Sequence, residues 1–156
     1  MPVHFRSGRG HGGAFSDKAL ECLAQAQHAG AKLTGDWHNS SAGPNYVGNG
    51  YRHDGNAKDG KASARFEAKI PKSGHYDVRI AYPPNTNRSS KVVVEIIHPG
   101  GKKTVFVDQR KIPAIDERFH LLGHFDFTEG QPAVVIVSNA GADGFVVIDA
   151  VQWITK

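Results

Sequence analysis

One polar loop in the first half of the chain carries residue types that suit sugar binding. Between residues 36 and 59, three aromatic side chains alternate with asparagine, aspartate, histidine and arginine. Aromatic faces pack on the apolar C–H patches of sugar rings, while planar amide, carboxylate and guanidinium groups bond to neighbouring hydroxyls. The candidate ligand-binding residues of this loop are Tyr46, Tyr51, Arg52, His53 and Asp54.

The same loop could instead serve a purely structural purpose. Large aromatic side chains are commonly buried, and we assign Trp37 a structural role. Under this alternative, the stretches GDWHNS and GYRHDG hold the loop across a sheet, with Trp37 and Tyr51 in the core. Solvent exposure of Trp37, Tyr46 and Tyr51 separates the two interpretations, because a sugar site needs an open aromatic surface.

A second group of candidates lies in the segment YPPNTNRSS, residues 82–90. Two consecutive prolines stiffen this turn, and Asn87 and Arg88 offer hydrogen-bond donors at its end. Arg88 could bind a ligand, or it could pair with a carboxylate of another loop, such as Asp54. We count both Asn87 and Arg88 among the candidate ligand-binding residues and leave the two roles of Arg88 open.

Asp149 is the most conspicuous charge in the chain, because it interrupts the apolar stretch FVVIDAVQW. A carboxylate in such a place is costly unless it is paired or hydrogen-bonded. We expect Asp149 to accept hydrogen bonds that hold loop backbone, and we assign Trp153 a structural role as well. The alternative is a structural calcium ion shared with loop oxygens near Asp143 or Asp54. No other cofactor and no metal ligand is predicted.

The elements that must position these groups show a period of two from residue 62 onward. Small and apolar residues between Ala62 and Ile70 alternate with polar ones, as in a strand with one wet face. Seven or eight such strands, separated by turn signals and without a βαβ rhythm, predict an all-β, antiparallel β-sandwich. The later strands are expected at residues 76–82, 92–97, 104–107, 119–127, 133–137 and 145–154.

The chain before residue 33 has a different character. Residues 1–15 are rich in Gly, Arg and His and are predicted to be a flexible tail. Ser16 offers an N-cap, and Leu20 and Leu23 stand at helical spacing, so residues 16–32 are predicted to form a short helix or linker. Cys22 is expected to be a small core residue. The main domain is predicted to cover residues 33–156.

Composition argues against several classes of function. The net charge is +4, but the basic residues are scattered rather than clustered, so nucleic-acid binding is not expected. No apolar run approaches the roughly 18 residues of a membrane span. The sequence contains no GxSxG, CxxC or P-loop motif. We therefore expect a protein that is not an enzyme and does not bind membranes.

The order and spacing of the polar loop, the Tyr-Pro…Asn-Arg turn and the segment SNAGADGFVVIDAVQW, residues 138–153, resemble the golvesin/xanthan-lyase carbohydrate-binding-like domain. The resemblance covers residues 33–155 and is greatest to modules at the C-terminus of planctomycete multi-domain oxidoreductases. It implies an all-β sandwich of jelly-roll, galactose-binding-like type. It also implies a bacterial, extracytoplasmic accessory module that forms part of a longer protein and binds polysaccharide or another glycan.

A structural interaction domain without a sugar site, packed against a neighbouring catalytic domain, is the alternative function. The N-terminal stretch lacks the apolar region of a signal peptide, so the localisation of this chain stays unknown from sequence.

Overall fold

The computed structural model describes residues 3–7, 20–27 and 30–156, with only the backbone described for residues 3–7. The described residues form β-strands and no helix, and hence no helix that could cross a membrane. The strands are β1 (Val3–Ser7), β2 (Leu20–Gln25), β3 (Ala31–Thr34), β4 (His38–Ser40), β5 (Tyr51–His53), β6 (Ser63–Lys69), β7 (Gly74–Ala81), β8 (Val92–His98), β9 (Gly101–Val107), β10 (Phe119–Phe127), β11 (Pro132–Ser138), β12 (Val147–Ile148) and β13 (Ala150–Thr155).

Two five-stranded sheets pack face to face, with strand orders β1-β2-β13-β7-β10 and β3-β6-β11-β8-β9. Every strand pairing in them is antiparallel, which confirms the predicted all-β sandwich. Side chains that alternate along each strand fill the space between the sheets. Phe66, Tyr76, Ile96 and Trp153 are among the fully buried side chains of this core.

The predicted N-terminal helix is wrong where the structure can test it. Residues 20–25 form strand β2, which pairs with β1 on one side and β13 on the other. Cys22 to Ala24 are buried on both faces of the sheet, so sheet pairing overrides the helical propensity of this alanine- and leucine-containing stretch. Residues 16–19, 28 and 29 of the predicted helix lie outside the described residues.

The segment predicted as a flexible tail also contributes to the sheet. Residues 3–7 form β1, and the rest of that predicted tail lies outside the described residues. Strand β2 precedes residue 33, where the main domain was predicted to begin, yet it lies between β1 and β13 in the first sheet. The sandwich therefore includes strands upstream of residue 33.

One end of the sandwich, called here the loop end, carries nearly all of the candidate residues. Strands β3, β7, β9 and β11 end there, and β6, β8, β10 and β13 begin there. A small third sheet of order β12-β5-β4 forms within the loops. The segments that make up the loop end are residues 35–62, 82–91, 108–118 and 139–149.

Candidate functional site

Tyr51 and Arg88 join the two candidate segments at the loop end. Tyr51 lies in β5 and is 3% exposed, and its hydroxyl donates to the Ala42 carbonyl (2.9 Å). The same hydroxyl accepts a hydrogen bond from Nη2 of Arg88 (3.2 Å), whose guanidinium carbon lies 5.6 Å from the centre of the Tyr51 ring. The polar loop and the Asn87–Arg88 turn therefore converge on one place.

Arg88 is buried, with 7% exposure, and it bonds to neutral acceptors. Its Nε donates to the Pro83 carbonyl (3.2 Å) and its Nη1 donates to Oδ1 of Asn87 (2.9 Å). The ion pair with Asp54 considered from sequence does not form between these described residues. Because a buried guanidinium must keep its hydrogen bonds, Arg88 fixes the turn at residues 82–91 against β5.

Asp54 connects the polar loop to the segment at residues 139–149, called here the C-terminal segment. It is 2% exposed, and its Oδ1 accepts hydrogen bonds from the backbone N–H of Asn56 and of Val146, both at 3.0 Å. Its Oδ2 accepts from Nδ2 of Asn139 at 3.0 Å. One buried carboxylate thus accepts hydrogen bonds from three donors, which belong to two separate segments.

Asp149 holds a different part of the loop with fewer bonds. It is 1% exposed, and its Oδ2 accepts from the backbone N–H of Val47 (2.7 Å). Its Oδ1 is buried and finds no hydrogen-bond partner among the described residues. Burial raises the pKa of Asp149 to about 7, while the Val47 N–H and the charge of Arg118 act in the opposite direction.

Four of the seven candidate ligand-binding residues reach solvent. Tyr46, Arg52 and His53 are half-buried and Asn87 is exposed. The ring of Tyr46 lies 6.1 Å from that of Tyr51, and Nε of Arg52 donates to the Ala26 carbonyl (2.9 Å). These four are therefore the candidates that a ligand at the surface could contact, whereas Tyr51, Asp54 and Arg88 are buried and are called here the buried framework.

The two tryptophans differ in their surroundings. Trp37 is half-buried, and its Nε1 donates to the carbonyls of Thr34 (3.0 Å) and Ser63 (3.2 Å), so it ties the start of the polar loop to β3 and β6. Trp153 is fully buried in the core. Of the aromatic trio proposed to separate the two functions, Tyr51 is buried and Trp37 and Tyr46 are half-buried.

Sequence reasoning missed Gln109, which is completely buried. Its Nε2 donates to the Val147 carbonyl (2.8 Å), and its Oε1 accepts from the Val147 N–H (2.9 Å). The side-chain amide therefore continues the hydrogen-bond ladder beyond β12, as a further strand would. A single glutamine in the polar stretch DQRK gives no local signal of this role.

Asp143, considered from sequence as a neighbour of a calcium ion, is engaged in a serine cluster. Its carboxylate accepts from the hydroxyl (2.6 Å) and the backbone N–H (2.7 Å) of Ser90 and from the Ser89 hydroxyl (2.9 Å). The Ser90 bonds are the main reason that the pKa of Asp143 lies well below its usual range. Within the described residues, no group of three or more His, Cys, Asp and Glu could hold a metal ion.

His38 and Phe145 are further residues that the sequence reasoning did not select. His38 is exposed and lies opposite His53 in the small sheet, and Phe145 is half-buried and packs on His53. Only the pairing of β4 with β5 and the approach of residues 139–146 bring these rings together. They complete a surface in which aromatic rings and polar groups stand side by side.

The sequence matches the family described as Golvesin C-terminal domain over residues 22–155. The chain belongs to this family. Xanthan lyase from Bacillus sp. (strain GL1) is 33% identical over 132 residues, which are 83% of this chain and 14% of that protein. This golvesin-type domain therefore spans about one seventh of the length of its curated relative.

Solved structures show the same fold. Paenibacillus xanthan lyase superposes with a TM-score of 0.81 and 30% identity, over 87% of this chain and 13% of that one. A family 35 carbohydrate-binding module from Clostridium thermocellum matches with a TM-score of 0.61 and 13% identity, over 87% of this chain and 98% of that one. The resemblance to a xanthan-lyase domain is confirmed, while the planctomycete context stays a prediction.

Proposed function

We propose that this golvesin-type domain is a non-catalytic accessory module that binds polysaccharide through its loop end. The observation that supports the proposal is the junction of Tyr51 with Arg88, since the half-buried Tyr46 lies beside Tyr51 and the exposed Asn87 bonds to Arg88. Half-exposed aromatic rings beside amide and guanidinium groups suit the apolar and hydroxyl faces of sugars. The fold of a family 35 carbohydrate-binding module supports the same class of ligand.

The buried framework explains why this surface could bind without rearranging. The carboxylate of Asp54 and the guanidinium of Arg88 already have their hydrogen bonds inside the protein. Loops fixed in this way lose little conformational freedom when a ligand arrives, and such pre-organisation favours affinity. In this proposal the framework residues position the loops, and Tyr46, Arg52, His53 and Asn87 contact the glycan.

A structural interaction domain without a sugar site remains the second candidate. Burial of Tyr51 favours it, because that ring is removed from any open aromatic platform. The small share of xanthan lyase that the chain matches also supports a place beside other domains of a longer protein. In either case the domain itself carries no proposed catalytic group.

Affinity electrophoresis on gels containing xanthan, mannan, dextran or β-1,3-galactan tests glycan binding directly. We expect retardation on at least one of these gels, and weaker retardation of the variants Tyr46→Ala and Asn87→Ala. Each lost contact should weaken binding by roughly five- to tenfold, the scale of one hydrogen bond or ring contact. Tyr51→Ala and Arg88→Ala are poor tests of contact, since both would disturb the framework.

Phe106→Ala is the aromatic control, because Phe106 is 67% exposed in β9 and belongs to none of the loop segments, although β9 ends close to them. Retardation lost in this control but kept in Tyr46→Ala would move the sugar site to the outer face of the second sheet. No retardation of the wild type on any of the four gels would favour the interaction-domain alternative.

A further inference from the structure

Two histidines face each other across the small sheet at the loop end. His38 in β4 lies directly opposite His53 in β5, and their ring centres are 5.3 Å apart with an interplanar angle of 26°. Phe145 packs edge-on against His53, with 5.5 Å between ring centres. His38 and His53, called here the histidine pair, thus belong to a row of three rings in which His38 is exposed and the other two are half-buried.

A backbone bond fixes the protonation state of His53 in this arrangement. The N–H of Gly55 donates to Nδ1 of His53 (3.0 Å). A backbone N–H can only donate, so Nδ1 must carry a lone pair and the ring proton must sit on Nε2. A second proton from solvent would bind at Nδ1 and remove the acceptor of the Gly55 N–H.

The surroundings of His53 also favour its neutral form. Burial is the main cause that lowers the pKa of His53, and the neighbouring His38 and Arg88 lower it further. The carboxylate of Asp54 acts in the opposite direction, and Phe145 carries no charge. His38 belongs to β4, Arg88 to the turn at residues 82–91, Asp54 to the loop after β5 and Phe145 to the C-terminal segment. Each element that packs on the His53 ring is therefore represented among these groups.

Residues 54–60, called here the rim loop, rest on the histidine pair. Gly55 and Asn56 both adopt left-handed backbone conformations, with φ of 68° and 59°. A Cβ atom at position 55 would lie 3.1 Å from Nε2 of His38, so the glycine backbone packs closely on that ring. The Gly55 end of the rim loop is therefore held by one bond to His53 and by contact with His38, while Asp54 and Asp59 anchor the loop through bonds from Asn139.

We propose that the histidine pair is a pH-responsive support of the rim loop, which holds Gly55 while Nδ1 of His53 is unprotonated and releases the Gly55 end of the loop when that nitrogen binds a proton. Protonation of His53 removes the acceptor of the Gly55 N–H and places a positive charge on a ring whose centre lies 5.3 Å from that of His38. The consequence for ligands rests on the proposed function: glycan affinity falls in acid, because His53 and the rim loop border the sugar site.

The first experiment needs no ligand. Imidazole and amide NMR signals are followed from pH 8.5 to 4.5 in the wild type, in His38→Asn and in His75→Asn. His75 is the matched control, since its side chain is 74% exposed and lies in β7. We expect the Gly55 amide to shift together with the His53 titration, and the pKa of His53 to rise in His38→Asn but not in His75→Asn.

Either of two results would overturn the proposal. One is a Gly55 amide signal that stays constant while His53 titrates. The other is a His53 titration that His38→Asn leaves unchanged, since the rings would then not sense each other. Both outcomes are read on the free protein and do not depend on whether any polysaccharide binds.

The second experiment measures retardation on the xanthan, mannan, dextran and β-1,3-galactan gels at pH 8 and pH 5. On a gel that retains the wild type at pH 8, we expect about fivefold weaker binding at pH 5, equivalent to one lost hydrogen bond. The ratio between the two pH values should shrink in His38→Asn and persist in His75→Asn. Equal wild-type retardation at both pH values would contradict the link to binding, whereas no retardation at either pH counts against the proposed function alone.

Discussion

Asp54 and Asp149 are two carboxylates buried to nearly the same degree at the loop end, and their environments differ in the number of donors. Asp54 receives hydrogen bonds from two backbone N–H groups and one side-chain amide. Asp149 receives one, from Val47, and its other oxygen is buried without a partner among the described residues. Both carboxylate oxygens of Asp54 thus accept hydrogen bonds from the protein, whereas only one oxygen of Asp149 does.

The comparison shows that the donor count, more than depth, decides what a buried carboxylate does for a fold. A charge surrounded by donors ties segments together, because each donor would lose a strong bond if the carboxylate were removed. A charge with one donor retains much of the cost of leaving water, which is why the pKa of Asp149 rises to about 7. Asp54 therefore joins segments of the loop end through its three donors, whereas Asp149 stabilises the loop end mainly in its protonated form.

Removing the Asp54 carboxylate should have the largest effect on stability. Asp54→Ala leaves the donors at Asn56, Val146 and Asn139 without their acceptor. Three hydrogen bonds to a charged group predict a loss of at least about 4 kcal/mol in the free energy of unfolding. Urea unfolding followed by circular dichroism measures it. Asp36→Ala, at an exposed position, is the control. A similar small loss of stability in both variants would contradict the conclusion that the hydrogen bonds of Asp54 stabilise the loop end.

The effect of Asp149 should depend on pH. Its folded-state pKa of about 7 lies above the ordinary 3.8, so between these values the folded protein binds more protons than the unfolded chain. Stability should therefore fall as pH rises from about 4 to about 7, by up to about 1.4 kcal/mol per pH unit. Asp149→Asn removes this titration.

Unfolding free energies of wild type and Asp149→Asn, measured at each pH unit from 4 to 8, check the slope. The wild type should lose stability relative to the variant as pH rises, and the difference should level off above about pH 7. Parallel profiles across this range would mean that Asp149 titrates alike in the folded and unfolded states.

A smaller effect is expected at the junction between the two candidate segments. Tyr51→Phe removes the hydroxyl that bonds to Arg88 and Ala42 but keeps the buried ring. We expect a loss of about 1 to 2 kcal/mol, because a buried guanidinium N–H and a carbonyl lose a partner. Tyr46→Phe is the matched control, since Tyr46 is half-buried and has a neighbouring ring but no such role. Equal melting temperatures for both variants would contradict the junction.

Chelation should have the smallest effect of all. If hydrogen bonds alone hold Asp54 and Asp149, excess EDTA should leave the melting temperature unchanged in differential scanning fluorimetry. A melting temperature that falls with EDTA and recovers with added calcium would instead assign a calcium ion to the loop end. That result would also change the comparison, because a cation would supply what the unpaired oxygen of Asp149 lacks.

Most strands after residue 62 could be predicted because their period of two is a local property of the sequence. The single strand predicted at residues 145–154 is wrong, since the chain divides at Asp149 into β12 and β13, which lie in different sheets. Strand β2 could not be predicted, since its residues also fit helical spacing and its neighbours in the sheet are distant in the chain. The loop end also depends on contacts between residues that are distant in the chain. Asp54 bonds across 92 residues to Val146, and Val47 bonds across 102 residues to Asp149. Its position inside an apolar stretch identified Asp149 as unusual, but no local pattern distinguishes its single donor from the three donors of Asp54.

The position of β13 in the first sheet has a consequence for how the domain folds. This strand, Ala150–Thr155, lies between β2 and β7, so the two halves of the sheet meet only through it. Its pairing with β2 joins residues about 130 positions apart, and closing so long a loop slows the formation of native contacts. A ribosome-bound chain therefore cannot complete this sheet before residue 155 leaves the exit tunnel, and until then β2 and β7 expose edges to which chaperones or other nascent chains can bind.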